Sequence, residues 1–260
     1  MFKKLRRFAT FVNTVLSKKK QLIISRLSNT LNREGYKEFK DFVDEIVVKK
    51  NQEKTIAMLN RLTTNYTFFL REKEHFNFLE QVALPEICSH HKMDKKIQIW
   101  SAGCSSGEEP YTIAMYMLEN LKTPLWRPSV LATDISQKIM GQAKNATYRK
   151  SQMTNLPPTW QKKYFELVSD GTYLVKPQVK KLVSFKEFNL MNPIMFPNKF
   201  DIIFCRNVMI YFDQKTREDL VNRFYDALRP GGYLFIGHSE SINGLNTPFT
   251  YIKPAIYQKK

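Results

Sequence analysis

The sequence predicts an α/β fold: a mostly parallel sheet wrapped by helices, with a small helical domain ahead of it. Three observations predict this. From Ile97 onward, apolar strand-like runs alternate with amphipathic helical runs, the pattern of parallel β-α-β units. The first unit, Ile97-Gln98-Ile99-Trp100-Ser101-Ala102-Gly103-Cys104-Ser105-Ser106-Gly107-Glu108-Glu109-Pro110-Tyr111, reads as a buried strand, a tight turn with two glycines, and a helix. Ahead of it, the front of the chain shows only helical periodicity.

The whole chain is consistent with this. Its 260 residues, 43% hydrophobic with 19 Phe and 12 Tyr, suffice for one large or two modest cores. Cys88, Cys104 and Cys205 are odd in number and far apart, which argues against a disulfide framework or a zinc site and for a reducing cytosol. His75, His90, His91 and His238 show no metal-ligand spacing, so no metal is expected. No apolar run reaches the roughly 18 residues that span a bilayer. The opening Met1-Phe2-Lys3-Lys4-Leu5-Arg6-Arg7 lacks the apolar stretch and cleavage site of a signal peptide and reads as mature protein. The net charge of +17 calls for an anionic partner: nucleic acid, a membrane surface or an acidic protein. Residues 1–33 hold nine Lys/Arg and no acid, so this charge is concentrated at the front.

In chain order, Phe8, Phe11, Val12, Val15 and Leu16 mark a first amphipathic helix. A second spans about residues 20–33, with Gly35 as its stop. Lys19, Arg26 and Arg33, spaced by seven, form a basic stripe flanking its apolar face. A solvated face is the plain reading of such a stripe, and binding is its rival. Phe39, Phe42, Val43, Ile46 and Val47 give a third helix, and residues 54–62 a fourth. The segment Thr64-Asn65-Tyr66-Thr67-Phe68-Phe69-Leu70-Arg71-Glu72 leads into a helix carrying Phe76, Leu79 and Val82. Capping alone does not explain its density of Thr, Asn, Phe and Arg. Pro85 and the polar run 89–96 suggest a domain change, giving a helical domain over 1–85, a linker over 86–96 and the α/β domain over 97–260.

The glycine turn carries the ligand argument. Its helix opens with Glu108 and Glu109, which complement the helix dipole but repel a pyrophosphate. A cationic ligand such as S-adenosylmethionine, with a sulfonium and an ammonium, fits better, and the spacing departs from the dinucleotide fingerprint. The second strand, Ser129-Val130-Leu131-Ala132-Thr133-Asp134, ends in an acid placed to bind ribose hydroxyls, while Ser136 is available to cap the next helix. Residues 136–146 form that helix. Asp170-Gly171 turns a compact hairpin inserted near 160–180. Residues 182–185 form a strand running on to Phe188-Asn189-Leu190. The run Phe200-Asp201-Ile202-Ile203-Phe204-Cys205-Arg206-Asn207 is a buried strand with polar residues at its ends. A helix over about 214–228 stops at Arg229-Pro230-Gly231-Gly232, ahead of the strand 233–237, and two short strands near Tyr251 and Ile256 close the chain.

Assembled, these segments resemble the chemotaxis receptor glutamate methyltransferases, the CheR family, over nearly the whole length. The resemblance rests on residues 64–72, the 100–111 turn, Ala132-Thr133-Asp134-Ile135, Phe204-Cys205-Arg206-Asn207-Val208-Met209-Ile210-Tyr211-Phe212, Leu228-Arg229-Pro230-Gly231-Gly232 and Gly237-His238-Ser239-Glu240-Ser241. It implies a Rossmann-like class I methyltransferase domain with an antiparallel last strand, an N-terminal helical domain and an inserted β-hairpin subdomain. It implies S-adenosylmethionine binding by Asn65, Thr67, Arg71, Gly103, Glu108, Asp134, Asn189, Leu190, Arg206 and Asn207. Arg71 and Tyr211 match residues near the transferred methyl group. The Lys19, Arg26, Arg33 stripe matches the surface that faces the acidic methylation region of a chemoreceptor. The chain departs from the family in having Phe69-Leu70 where Phe-Phe is common. Its compact hairpin argues against gripping a receptor C-terminal tether.

The implied chemistry is coherent with the residues. A glutamate is already an anion near pH 7, so a methyl acceptor of this kind requires no catalytic base, and no Ser-His-Asp or Cys-His set is evident. The expected protein is a cytoplasmic monomer that does not span the membrane. The alternatives are a nucleic-acid methyltransferase, motivated by the charge but lacking an Asn/Asp-Pro-Pro-Tyr signature, and a non-catalytic S-adenosylmethionine-binding receptor regulator.

Overall fold

The structure, a computed structural model, describes residues 67–260 together with Tyr36 and Asp41. The four front helices, the stripe of Lys19, Arg26 and Arg33, and Asn65 lie outside the described residues. The chain divides into two compact units, one of Tyr66–Ile210 with Gln214–Lys260, the other of Met1–Asn65 with Tyr211–Asp213. The architecture below is that of the first.

This unit begins with α1 (Lys73–Phe78), which continues through a π turn (Leu79–Ala83) into α2 (Leu84–His90). The wide turn just ahead of Pro85 gives its ring room against the carbonyl four residues back, so the helix runs on to His90. Phe76, Leu79, Ala83, Leu84 and Ile87 enter the same core as the strand residues Ile97 and Ile99, so this helical stretch belongs to the α/β unit's own packing.

Strand β1 (Lys96–Ala102) leads to α3 (Glu108–Asn120), β2 (Arg127–Asp134) to α4 (Gln137–Asn145). Ser136 caps α4, its hydroxyl accepting the Ile139 N–H at 3.3 Å, as the sequence anticipates. A small antiparallel sheet follows: β3 (Thr147–Arg149), then α5 (Pro158–Tyr164), β4 (Phe165–Ser169) and β5 (Thr172–Val175), in the order β3-β5-β4. The hairpin at Asp170-Gly171 is therefore present, joined by a third strand that three residues were too few to announce. The helical turn α6 (Pro177–Lys180) returns the chain to β6 (Val183–Glu187), which stops before Phe188 rather than running on to Leu190.

Strand β7 (Phe200–Cys205) is buried at every residue, the mark of a strand covered on both faces. Helix α7 (Gln214–Ala227) ends one residue early, because Leu228 already pairs with Phe200 and the Arg229-Pro230-Gly231-Gly232 run lies inside β8 (Leu228–Ile236). The ladder shifts register between Phe200 and Ile202, and that irregularity accommodates the proline and glycines. Hairpin β9 (Thr250–Lys253) and β10 (Ile256–Gln258) closes the sheet.

The seven strands are ordered β6-β2-β1-β7-β8-β10-β9. The first five are mutually parallel, and β10 is antiparallel to both neighbours. Ile97 and Ile99 of β1 pack with α3 on one face, whereas Trp100 points to the other. There it meets Phe188, Phe196, Phe200 and Phe224 of α7, its indole N–H held by the Thr133 hydroxyl at 2.9 Å. The chain winds outward from β1 through β2 to β6, then restarts on the other side at β7. That places a topological switch between β1 and β7, and the crevice beyond the strands' carboxyl ends is where such sheets take ligands.

Candidate cofactor site

The turn after β1 is built on two left-handed glycines. Gly103 has φ +97°, and a Cβ there would sit 2.5 Å from Cγ2 of Val208. Its N–H and that of Cys104 both donate to the Thr133 carbonyl, at 2.8 and 2.9 Å, which ties the turn to the end of β2. Gly107, φ +98°, precedes α3, and a Cβ there would stand 2.8 Å from the Tyr148 hydroxyl. That hydroxyl donates to the Ser106 carbonyl at 2.7 Å, so the small sheet braces the turn from outside.

Three acids surround this turn in different electrostatic states. Glu108 is 1% exposed, and its carboxylate accepts from the Ser106 hydroxyl at 2.6 Å and the Gln152 amide at 3.3 Å. Asp134 accepts the N–H groups of Ser105 and Ser136, both at 2.9 Å. Burial pushes both carboxyls above their ordinary pKa, and these hydrogen bonds offset the shift in part. Among the described residues, no Lys or Arg forms an ion pair with either. Glu109 differs: it accepts from the Ser101 hydroxyl at 2.7 Å and from Arg206 at 2.9 Å. Among the described residues, the turn thus carries two desolvated carboxylates without a cationic partner. Such a setting favours a positively charged ligand and disfavours a phosphate.

Arg206, directly after β7, is the site's buried brace. Its Nε and Nη2 donate to Glu72 at 3.2 and 3.1 Å, its Nη1 to Glu109, and Nη2 also to the main-chain oxygen of Arg71. Asn207 follows with a left-handed φ of +59°. Its N–H donates to Glu240 at 2.8 Å and its amide to Glu72 at 3.4 Å. Glu240 also accepts from Gly237 at 2.6 Å and Ile210 at 3.1 Å, locking together the segments that leave β7 and β8.

Gly103, Glu108, Asp134, Arg206 and Asn207 therefore gather along the carboxyl edge of β1, β2 and β7. Asn189 and Leu190 follow β6 on the same edge, where the Phe188 N–H donates to the Asp134 carbonyl at 3.0 Å. The Asn189 side chain accepts the Met191 N–H at 2.9 Å, and Leu190 is buried. Arg71 reaches this edge through its main chain, and Thr67 lies half-buried four residues earlier. Tyr211 ends a 3-10 turn (Met209–Tyr211) and belongs to the other unit.

Sequence reasoning gave no role to Glu72, Ser106, Tyr148, Gln152 or Glu240. Glu72 and Glu240 stood inside quoted motifs. Glu72 precedes a helix and Glu240 lies in the loop after β8, positions where hydropathy patterning does not separate a buried carboxylate from a solvated one.

A sheet of this order, with a glycine turn after its first strand and acids at that turn and at the end of the second, defines a class I methyltransferase that binds S-adenosylmethionine. Residues 65–257 match the family model described as CheR methyltransferase, SAM binding domain. The chemotaxis protein methyltransferase of Borreliella burgdorferi is 43% identical over 250 residues, covering 94% of this chain and 88% of that protein. Its counterpart in Vibrio parahaemolyticus is 38% identical over 247 residues, covering 93% and 89%. That of Escherichia coli is 35% identical over 243 residues, covering 92% and 82%. The chain belongs to the CheR methyltransferase family.

Proposed function

We propose that this methyltransferase esterifies glutamate side chains in the cytoplasmic methylation region of a chemoreceptor. Glu108 and Asp134 carry the cofactor half of this reading, as buried carboxylates with neutral hydrogen-bond partners beside the glycine turn. They fit S-adenosylmethionine, Glu108 holding its ammonium and Asp134 its ribose hydroxyls, with Gly103 leaving the backbone open to close approach. When bound, S-adenosylmethionine supplies a sulfonium methyl group that a carboxylate oxygen takes with its own lone pair, leaving a neutral thioether.

The chain's own residues then have to align and desolvate. Arg71 and Tyr211 orient the incoming carboxylate, with Asn65, Thr67, Asn189, Leu190 and Asn207 completing the cofactor walls. Arg206 pairs with both Glu72 and Glu109, leaving Glu108 and Asp134 as the carboxylates without a cationic partner among the described residues. Lys19, Arg26 and Arg33 dock the acidic receptor surface, and no receptor tail is gripped by the compact hairpin. The names of the relatives support a role in chemotaxis. Incubation with methyl-labelled S-adenosylmethionine and receptor cytoplasmic domains tests the reading. Base-labile label on receptor glutamates supports it, and label on nucleic acid alone overturns it.

A further inference from the structure

Beside the Arg206 brace, Glu72 clusters with two histidines that the methyl-transfer reading does not use. Glu72, His75 and His238 bring a carboxylate oxygen and two imidazole nitrogens within 4.8 Å of one another. The most telling member is His75. Its ring is 1% exposed, and among the described residues neither nitrogen has a hydrogen-bond partner; the Glu72 oxygen 3.4 Å from Nδ1 is too poorly placed to make one. A buried imidazole with both nitrogens unsatisfied is costly, and a ligand that takes its lone pair removes the acceptor's share of that cost.

The surroundings suit a metal ion. The buried His75 ring sits with its Nδ1 3.4 Å from the Glu72 carboxylate. Its edge lies against the His238 ring, centroids 4.7 Å apart. His238 is exposed, which leaves a way in from solvent and lets its ring swing closer. Arg206 and Lys253 oppose a cation, and Glu72 and Glu109 balance their two charges. Glu72 and His75 are three residues apart across the start of α1, a spacing that presents both to one point. Spacing along the sequence alone hid the set, because its third member lies beyond β8.

We propose that Glu72, His75 and His238 bind a divalent transition ion of the Zn²⁺ class, and that the ion opposes cofactor binding. Two imidazoles, one carboxylate and an open fourth position form a donor set that zinc accepts. Glu72 is also the carboxylate that holds Arg206 and Asn207. An ion drawing on it competes with Arg206 and loosens the brace on which the Asn207 segment rests.

The test is calorimetric titration of the chelator-stripped protein with Zn²⁺, alone and with S-adenosylhomocysteine present. The expected result is one bound equivalent, with affinity for S-adenosylhomocysteine falling several-fold when zinc is saturating. His238→Ala alters an exposed ring, should still bind S-adenosylhomocysteine in chelator, and should weaken zinc binding by at least about tenfold. No stoichiometric zinc, or zinc bound equally well by His238→Ala, overturns the site. Zinc that binds but leaves S-adenosylhomocysteine affinity unchanged overturns the competition for Glu72.

Discussion

The guanidinium of Arg206 and the carboxylate of Glu72, 134 residues apart in the chain, share two hydrogen bonds of 3.2 and 3.1 Å. Glu72 is held there with a left-handed φ of +57°, at the start of α1, and Arg206 directly follows the central strand β7. The pair fixes the segment carrying Arg71 to the carboxyl edge of the sheet.

Arg206→Met tests how much that fixation contributes. The substitution keeps an unbranched side chain but strands Glu72 and Glu109 without their cation. Breaking a buried ion pair in this way costs about 3–5 kcal/mol. Denaturant unfolding should show a loss of that size, with cofactor binding lost as well. A variant of unchanged stability would mean that the two acids find other partners.

Gly103→Ala places a methyl group 2.5 Å from Val208 in a backbone conformation of φ +97°. The strain alone is worth about 1–3 kcal/mol, and the turn must shift to relieve the clash. Cofactor affinity should drop sharply. Adding Val208→Ala should recover only the steric part, because the positive φ remains. Full recovery in the double variant would show that φ is not limiting.

The elevated pKa values of Glu108 and Asp134 make cofactor binding pH-dependent. Without ligand, an acid whose folded pKa is raised contributes stability below its unfolded pKa and loses it as pH rises through the folded value. A cationic ligand favours the carboxylate form. S-adenosylmethionine affinity should therefore strengthen as pH rises through the elevated values and level off above them. Glu108→Gln should weaken binding by about 1.5–3 kcal/mol and remove its share of the slope, leaving that of Asp134. Calorimetry across the acidic range checks both, and a pH-independent affinity in the unaltered protein would contradict the assignment.

Arg26→Glu reverses one charge of the basic stripe. Receptor methylation should fall, with KM rising, while S-adenosylmethionine affinity stays constant. Unchanged receptor kinetics would leave the stripe as a solvated face.

What could be read from the chain follows from how local each signal is. The 97–111 unit was legible because strand, glycines and helix opening are contiguous, and each residue type has one backbone reason to be there. Asp134, Arg206 and Asn207 were legible as polar residues closing apolar strands. The pairing of Arg206 with Glu72 and Glu109 was not, because nothing in residues 70–75 says which strand end they will meet. That the helix passes through Pro85 was not legible, since only the π turn before it makes room for the proline ring. The Pro230-Gly231-Gly232 run read as a stop, whereas the neighbouring β7 draws it into the sheet.

The position of β1 between β2 and β7 bears on how the protein is made. During synthesis β2 and β6 become available soon after β1, but Ile99 must wait for Ile202 before its other flank is covered. Through that interval the nascent half-sheet presents an open edge along β1, without a proline or a charge beyond Lys96 to blunt it. Truncated chains ending before β7 should therefore associate edge to edge, and the growing chain is most in need of a chaperone while its sheet is half built.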